Sequence, residues 1–420
     1  MPARPDRAEQ TPMNQSEAPV APDAADLRLP AGSTLLHIGP QKTGSTAIQA
    51  AFHARRADLA EHGVAYPGDA AKPVRAFQAG LGFGMGRGGV PPRKAAWRSF
   101  RREIEEAADL RVLVSLESMG RLRDERLDRV VTELGGAQPH VVAVARRYDR
   151  LLPSQWQQRL KAGERRSYDA WLRRVLDPEP SGVGHPDSHS LWLPHHTAHL
   201  VRRWADRVGA DNVTVVIARE GDRQRVLTAF ESLLGLPHGF LPTVENAANR
   251  SLSLQEAELL RAGNEAFASI PKATDRDWHT LISRGLVPAL VKRPLPEGHD
   301  PLPPLPDWAR ELVEELSDQR IDELPRLGVR LVGDLDDLRL PAVSASVDRG
   351  PDPDTVTIET AVQALEGIAA GAVRGRLAAD RRQAAASTSQ ASGDPVPSGS
   401  RPSTVRRIKR RARAVLRRLR

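Results

Sequence analysis

The chain has no cysteine among its 420 residues. Disulfide frameworks, thiolate metal sites and thiol nucleophiles are therefore excluded, and the composition suits a reducing compartment. No window approaches the roughly 20 apolar residues that cross a bilayer, and residues 1–30 lack the apolar centre of a secretory signal. The expected location is cytoplasmic. Neither an HExxH zinc motif nor a repeat of fixed period is present. A net excess of either charge is also missing outside one segment. The formal net charge of +8 invites a nucleic-acid reading, yet residues 401–420 hold ten Arg or Lys and no acid, and the other 400 carry 51 basic against 53 acidic residues. The body of the protein is not a polyanion binder by bulk charge.

What is present alternates. Residues 1–31 mix Pro, Ala, Asp and Gln without apolar periodicity, which predicts a disordered leader. Thr34 to Ile38 reads as a strand ending at Gly39-Pro40, and Thr46 to Leu59 has helical spacing through Ile48, Phe52 and Leu59. Further strands are expected at Val64 to Tyr66, Arg111 to Leu116, His140 to Ala145 and Asn212 to Ala218. Helices are expected at Trp97 to Ala108, Glu125 to Leu134, Asp149 to Lys161, Tyr168 to Val175, Pro194 to Val208, Val226 to Leu234 and Leu252 to Ala266. Strand and helix in alternation give an α/β fold, a parallel sheet with crossover helices, over residues 32–340. A partly helical extension follows over 341–385, with an Ala-rich helix from Ile358 to about Arg382, and then a flexible Ser/Pro/Gly linker over 386–404. In 405–420, Val405, Ile408, Ala412, Val415, Leu416 and Leu419 share one helical face among arginines, the pattern of a basic amphipathic helix.

The most informative stretch is His37-Ile38-Gly39-Pro40-Gln41-Lys42-Thr43-Gly44-Ser45-Thr46, between the first strand and the first helix. A helix N-terminus presents free amides and the positive end of its dipole, so the amides of Thr43 to Thr46 are set to hold an anion. Gly44 allows close approach, and Ser45 and Thr46 add hydroxyls. A Walker loop would read GxxxxGK[ST]. Here Gly39 and Gly44 keep that separation, but Ser45 stands at the lysine position and Lys42 lies inside the loop. A second stretch reads Val141-Val142-Ala143-Val144-Ala145-Arg146, with Ser154 eight residues after Arg146 on the next helix. A strand end aims a guanidinium, and a following helix offers a hydroxyl; both suit a phosphate.

Together the two stretches resemble PAPS-dependent sulfotransferases, in particular the bacterial sulfotransferase-like proteins with a loop of the type HIGxxKTGST. The resemblance covers roughly residues 32–265 and implies a three-layer P-loop-like sheet flanked by helices. It implies that 3′-phosphoadenosine 5′-phosphosulfate (PAPS) is the co-substrate, with Gln41, Lys42, Thr43, Gly44, Ser45 and Thr46 at the 5′-phosphosulfate and Arg146 and Ser154 at the 3′-phosphate. Arg147 takes the part of Arg146 if the strand register differs by one. Val213 to Glu220 resembles a later core strand ending in a carboxylate, and Asn246 to Leu254 a segment returning to the nucleotide, which puts Arg250 near the 3′-phosphate.

Sulfonate transfer is an in-line displacement needing charge stabilisation on the leaving oxygen, alignment, and a base for the attacking hydroxyl. Lys42 is the candidate for the first. For the base, Glu117 follows a strand whose carboxyl end opens on the same crevice, where ligands bind in open α/β sheets; His37 is the alternative. His185, His189, His195, His196 and His199 cluster in sequence, and His195 and His199 have the i, i+4 spacing of a metal pair, but the reaction needs no metal. Gly82 to Gly89 reads as an acceptor-side loop.

The expected activity is therefore transfer of a sulfonate to a hydroxyl, with a carbohydrate or glycolipid as the acceptor. Two rival readings stand beside it. One is a divergent P-loop small-molecule kinase, against which the missing Walker lysine speaks. The other is a protein acting through its tail on an anionic membrane surface or, less favoured, on nucleic acid. Attachment by residues 405–420 would put the enzyme on the inner face of the membrane.

Overall fold

The computed structural model describes residues 27–82, 92–177, 191–244, 250–292, 305–342 and 355–391. The leader before Leu27, most of the glycine-dense loop, His185, His189, Asn246 and the segments expected as linker end and basic tail lie outside those residues.

Strand β1 (Ser33–Gly39) is buried along its whole length, the property of a strand covered on both faces and flanked on both edges, and it reads as a continuous run rather than an alternation. It pairs in parallel with β3 (Arg111–Ser115) on one side and β4 (Gln138–Ala145) on the other. With β2 (Val64–Ala65), β5 (Val213–Ile217) and β6 (Arg330–Val332) the described residues form one six-stranded, all-parallel sheet in the order β2-β3-β1-β4-β5-β6. Helices flank it: the chain is an open α/β sheet protein. After β1 it runs out to β2, returns to β3, and then crosses β1 to reach β4. Ligands bind beyond the carboxyl ends of such sheets, near this kind of reversal.

One apolar cluster packs a face of the sheet under α1 (Ser45–Ala54) and α9 (Arg223–Leu234), through Leu35, Ile48, Phe52, Val142 and Phe230. The opposite face is covered by α2 (Val74–Leu81), α3 (Ala95–Glu106), α4 (Asp124–Leu134) and α8 (Thr197–Val208), through Phe77, Trp97, Leu127 and Trp204. A third cluster is mainly helical. It joins α5 (Tyr148–Leu160) and α6 (Tyr168–Leu176) to α10 (Leu254–Ala268), a π-helical stretch (His279–Leu286) with α11 (Asp275–Trp278) before it and α12 (Val287–Lys292) after it, and α13 (Asp307–Arg326). Trp156, Trp171 and Leu290 lie in it.

Several boundaries move from the sequence reading. Leu27 and Leu29 are buried, and the Leu29 amide donates to the Leu233 carbonyl at 2.9 Å. The fold therefore takes in residues 27–31 from the expected leader, because two apolar side chains find a groove that composition does not reveal. The helix expected at Pro194 to Val208 is split into α7 (Trp192–His195) and α8, with His196 between them at ψ 88°. The late Ala-rich helix, α14 (Ile358–Ala391), starts where expected but runs nine residues past Arg382, into the expected linker. It packs on the π-helical stretch at glycines: a Cβ on Gly367 would come within 2.9 Å of the Gly285 carbonyl oxygen.

Candidate active site

Four adjacent strands deliver the candidate residues to one end of the sheet: β1 the loop at residues 39–44, β3 Glu117, β4 Arg146 and β5 Glu220. Three residues of the loop stand at positive φ, Gly39 among them. Gly44 (φ 100°) is the residue before α1, and Lys42 (φ 70°) takes a left-handed conformation that costs a non-glycine residue about 1–2 kcal/mol. Strain of this kind persists where surrounding contacts impose it. Here the Lys42 carbonyl accepts from Arg146 Nη1 at 3.0 Å, and the Gln41 carbonyl accepts from Gln155 Nε2 at 3.2 Å. The two motifs found separately in the sequence are thus joined by two hydrogen bonds from β4 and α5 to the loop.

The loop hydroxyls divide. Thr43 Oγ1 and Ser45 Oγ both donate to the Pro40 carbonyl, at 2.8 and 3.3 Å, which turns them into the loop rather than outward as the sequence reading had Ser45. Thr46 is exposed. Among the described residues the amides of Thr43 to Thr46 have no acceptor, as at the first turn of helices in general.

Arg146 donates from Nε and Nη2 to the two carboxylate oxygens of Glu220 at 2.5 and 3.0 Å. Burial alone would raise the Glu220 carboxyl; the hydrogen bonds and charge of Arg146 outweigh it and hold the group below the usual carboxylate range. Arg147 instead turns to Asp149, at 3.1 and 3.0 Å. The β4 register therefore assigns the loop contact to Arg146. Ser154 lies on α5, half-buried. Arg250 is engaged elsewhere: it grips both oxygens of Glu256, at 2.7 and 2.6 Å, and donates to the Ser251 and Leu290 carbonyls.

Glu117 begins a 3-10 helix (Glu117–Arg121) and accepts from Gln49 Nε2 at 2.9 Å and Lys72 Nζ at 2.6 Å. Burial pushes its carboxyl up, but the Lys72 charge and these two bonds prevail, so it is held below the ordinary carboxylate value. Behind it, Gln49 Nε2 also donates to Ser115 Oγ at 3.1 Å, and Ser115 Oγ meets His37 Nδ1 at 2.7 Å. His37, the alternative base, is 0% exposed, stands edge-on to Phe230, and is lowered by burial to about 4. On a central strand its side chain points under α1, and it is linked to Glu117 through Ser115 and Gln49.

The loop gathers positive charge. Lys42 is lowered by burial and then by the charges of Arg146 and Lys72. Lys161, at the end of α5, is lowered to about 8 by burial and then by the charges of Lys42 and Arg250. Sequence reasoning missed Lys161 and Lys72. Lys161 follows Ser154 by seven residues, two helical turns on the same face, and that spacing was readable. Lys72 sits in an irregular segment with no such signal. Of the histidine cluster, His195 bonds Gln155, and His196 caps α8 by accepting from the His199 amide, with the His196 and His199 rings 6.3 Å apart; no group of three metal-ligating side chains occurs among the described residues.

Glu117 and the loop are in van der Waals contact at Gly39, which has φ 90°; a Cβ there would stand 2.9 Å from the Glu117 Cα, Cβ and carbonyl oxygen. Gly39→Ala should therefore cost about 1–3 kcal/mol of stability, read as a shift in the urea midpoint, and should displace Glu117 from the loop.

No protein-family model matches the chain, and neither does any curated protein.

Proposed function

We propose that the chain transfers a sulfonate group from PAPS to a hydroxyl of an acceptor, which we take to be a carbohydrate or glycolipid, and that its sheet is of the P-loop type. The observation that carries this reading is the junction of the two motifs: Arg146 Nη1 holds the Lys42 carbonyl, so a phosphate-binding loop and a guanidinium share one crevice. A nucleotide phosphorylated at both ends of its ribose needs that pairing, whereas an ordinary adenylate needs only the loop.

In this reading the amides of Thr43 to Thr46 hold the 5′-phosphosulfate. Lys42 donates to the oxygen bridging phosphorus and sulfur. As the acceptor oxygen bonds to sulfur, the bridging S–O bond breaks and its electron pair stays on the 5′-phosphate, where Lys42 and Lys161 offset the charge. Glu117 takes the acceptor proton. Arg146 and Ser154 hold the 3′-phosphate.

Titration calorimetry of the full chain with adenosine 3′,5′-diphosphate, AMP and Mg²⁺-ATP tests the donor. The expected result is a preference for the 3′-phosphorylated nucleotide of about tenfold to a hundredfold, the value of one or two charged hydrogen bonds, with all binding weakened in Lys42→Ala. Equal binding of AMP, or tighter binding of Mg²⁺-ATP, would overturn the reading and favour a kinase.

A further inference from the structure

Beside the loop stands a second cationic group that the proposed transfer does not use. Arg121 closes the 3-10 helix that Glu117 opens. The residue before it, Gly120, packs on α7: a Cβ there would meet Pro194 Cβ at 3.5 Å. Next to Pro194 is His195, 1% exposed, whose Nε2 lies 2.8 Å from Gln155 Nε2. One turn along α5 from Gln155 comes Arg159. Geometry thus leads from Arg121 through α7 and His195 to Gln155 and Arg159, with Gln155 also bonded to the loop at the Gln41 carbonyl.

These groups are all donors. The Gln155 amide nitrogen serves both the Gln41 carbonyl and His195 Nε2, so Nε2 is the acceptor and the imidazole proton sits on Nδ1. His195 Nδ1 is buried without a partner. Arg121 and Arg159 are half-buried, and among the described residues neither guanidinium has a hydrogen-bond acceptor or an ion-pair partner. The Glu164 carboxylate near Arg159 is occupied by Arg166 and by the Arg165 and Arg166 amides. Buried charge is normally paired or hydrogen-bonded, because desolvation without a partner is costly. The cost is visible in the electrostatics: burial and the charge of Arg159 lower Arg121 to about 10, and burial with the charges of Arg121, Arg159 and Arg320 lowers His195 to about 3.

We propose that Arg121 and Arg159, backed by the neutral donor His195, form a second oxyanion subsite that takes a phosphate, sulfate or carboxylate group carried by the acceptor. This rests on the sulfotransferase reading for its substrate but not for its binding chemistry. Glu117 and Arg121 are the two ends of one short 3-10 helix, so the proposed base and the proposed subsite are carried by the same turn of backbone. The acceptor is therefore an anionic molecule.

The test uses the full chain saturated with adenosine 3′,5′-diphosphate, so that the donor phosphate positions are filled, and titrates inorganic phosphate and, separately, acetate by calorimetry. A saturable phosphate event should remain and weaken about tenfold in Arg121→Gln and in Arg159→Gln, as loss of one charged hydrogen bond requires. Arg121→Lys should retain most of it. Nucleotide affinity should stay within about twofold in all variants, and melting temperature should not fall, since an unpaired half-buried charge is being removed. Phosphate preferred over acetate identifies a phosphoryl or sulfate ester, and parity identifies a carboxylate. Absence of the event, or its equal strength in both glutamine variants, would overturn the subsite. Failure of the nucleotide to bind would sink the donor reading instead, and the same variants titrated with phosphate alone would still decide the subsite.

Discussion

Arg146→Ala should abolish the preference for adenosine 3′,5′-diphosphate over AMP, leaving the two nucleotides within about threefold of each other, because the group that separates them loses a charged donor worth about 1.5–3 kcal/mol. AMP affinity itself should fall less, since the loop amides are intact. The substitution also has a structural cost. It leaves the Glu220 carboxylate without its bidentate partner and the Lys42 carbonyl without its donor. Breaking a fully buried pair costs about 3–5 kcal/mol, but these side chains are 25% and 29% exposed, so solvent reduces the expected loss to about 1–2 kcal/mol. The comparison with Glu220→Gln separates the two effects: it keeps an acceptor for Arg146 and should retain nucleotide discrimination while losing part of the stability.

The pH dependence of the same pair has a definite sign. Glu220 is held below its ordinary value in the folded chain. The pair's contribution is therefore complete above the unfolded carboxylate value and is lost as pH falls through the depressed one. Urea unfolding from neutral to acidic pH should show that loss in the wild type, and Arg146→Ala should lack it.

The strands that carry the site were legible because each contains a short, buried, mainly apolar run, and in a parallel sheet ligands bind beyond the carboxyl ends of such runs. Val141 to Ala145 followed by Arg146 is the clearest case. The loop was legible through glycine spacing and the displaced lysine. Its hydroxyl orientations were not, because which of Ser45 and Thr46 faces outward depends on where the Pro40 carbonyl points, and that is set by the turn and not by composition. The partners of Glu117 and Arg146 were equally hidden. Lys72 and Glu220 meet them across 45 and 74 residues of sequence, and such pairings exist only once the sheet order brings the strand ends together. The strand β6 escaped notice for a related reason. Arg330–Val332 is half-buried at the sheet edge, so it shows neither a continuous apolar run nor alternation. The π-helical stretch likewise packs on α14, a contact some 80 residues away that no local pattern encodes.

Glu117→Gln separates a catalytic base from a structural partner of Lys72. The replacement is isosteric, and Gln49 Oε1 has no partner in the wild type, so an amide flip at Gln49 can accept from the new amide group and the local packing survives. If Glu117 takes the acceptor proton, the transfer rate should fall about a hundredfold to ten-thousandfold, the usual contribution of a positioned base. Affinity for adenosine 3′,5′-diphosphate should hold or rise slightly, because a negative charge facing the loop has been removed. The wild-type rate should fall with decreasing pH only below the ordinary carboxylate range, since the Lys72 charge and the bonds from Gln49 and Lys72 depress Glu117 despite its burial, and the variant should lose that acid limb. Single-turnover transfer of radiolabelled sulfonate, with the best acceptor from a glycan panel, measures both quantities. A merely structural role predicts a different pattern: stability, nucleotide binding and rate would decline together, and the acid limb would remain in what activity is left. Lys72→Met gives the complementary test. Without the ammonium group, burial dominates and Glu117 rises, so a functioning base would show its acid limb moved to higher pH, whereas a carboxylate that only anchors Lys72 would leave the pH profile where it was.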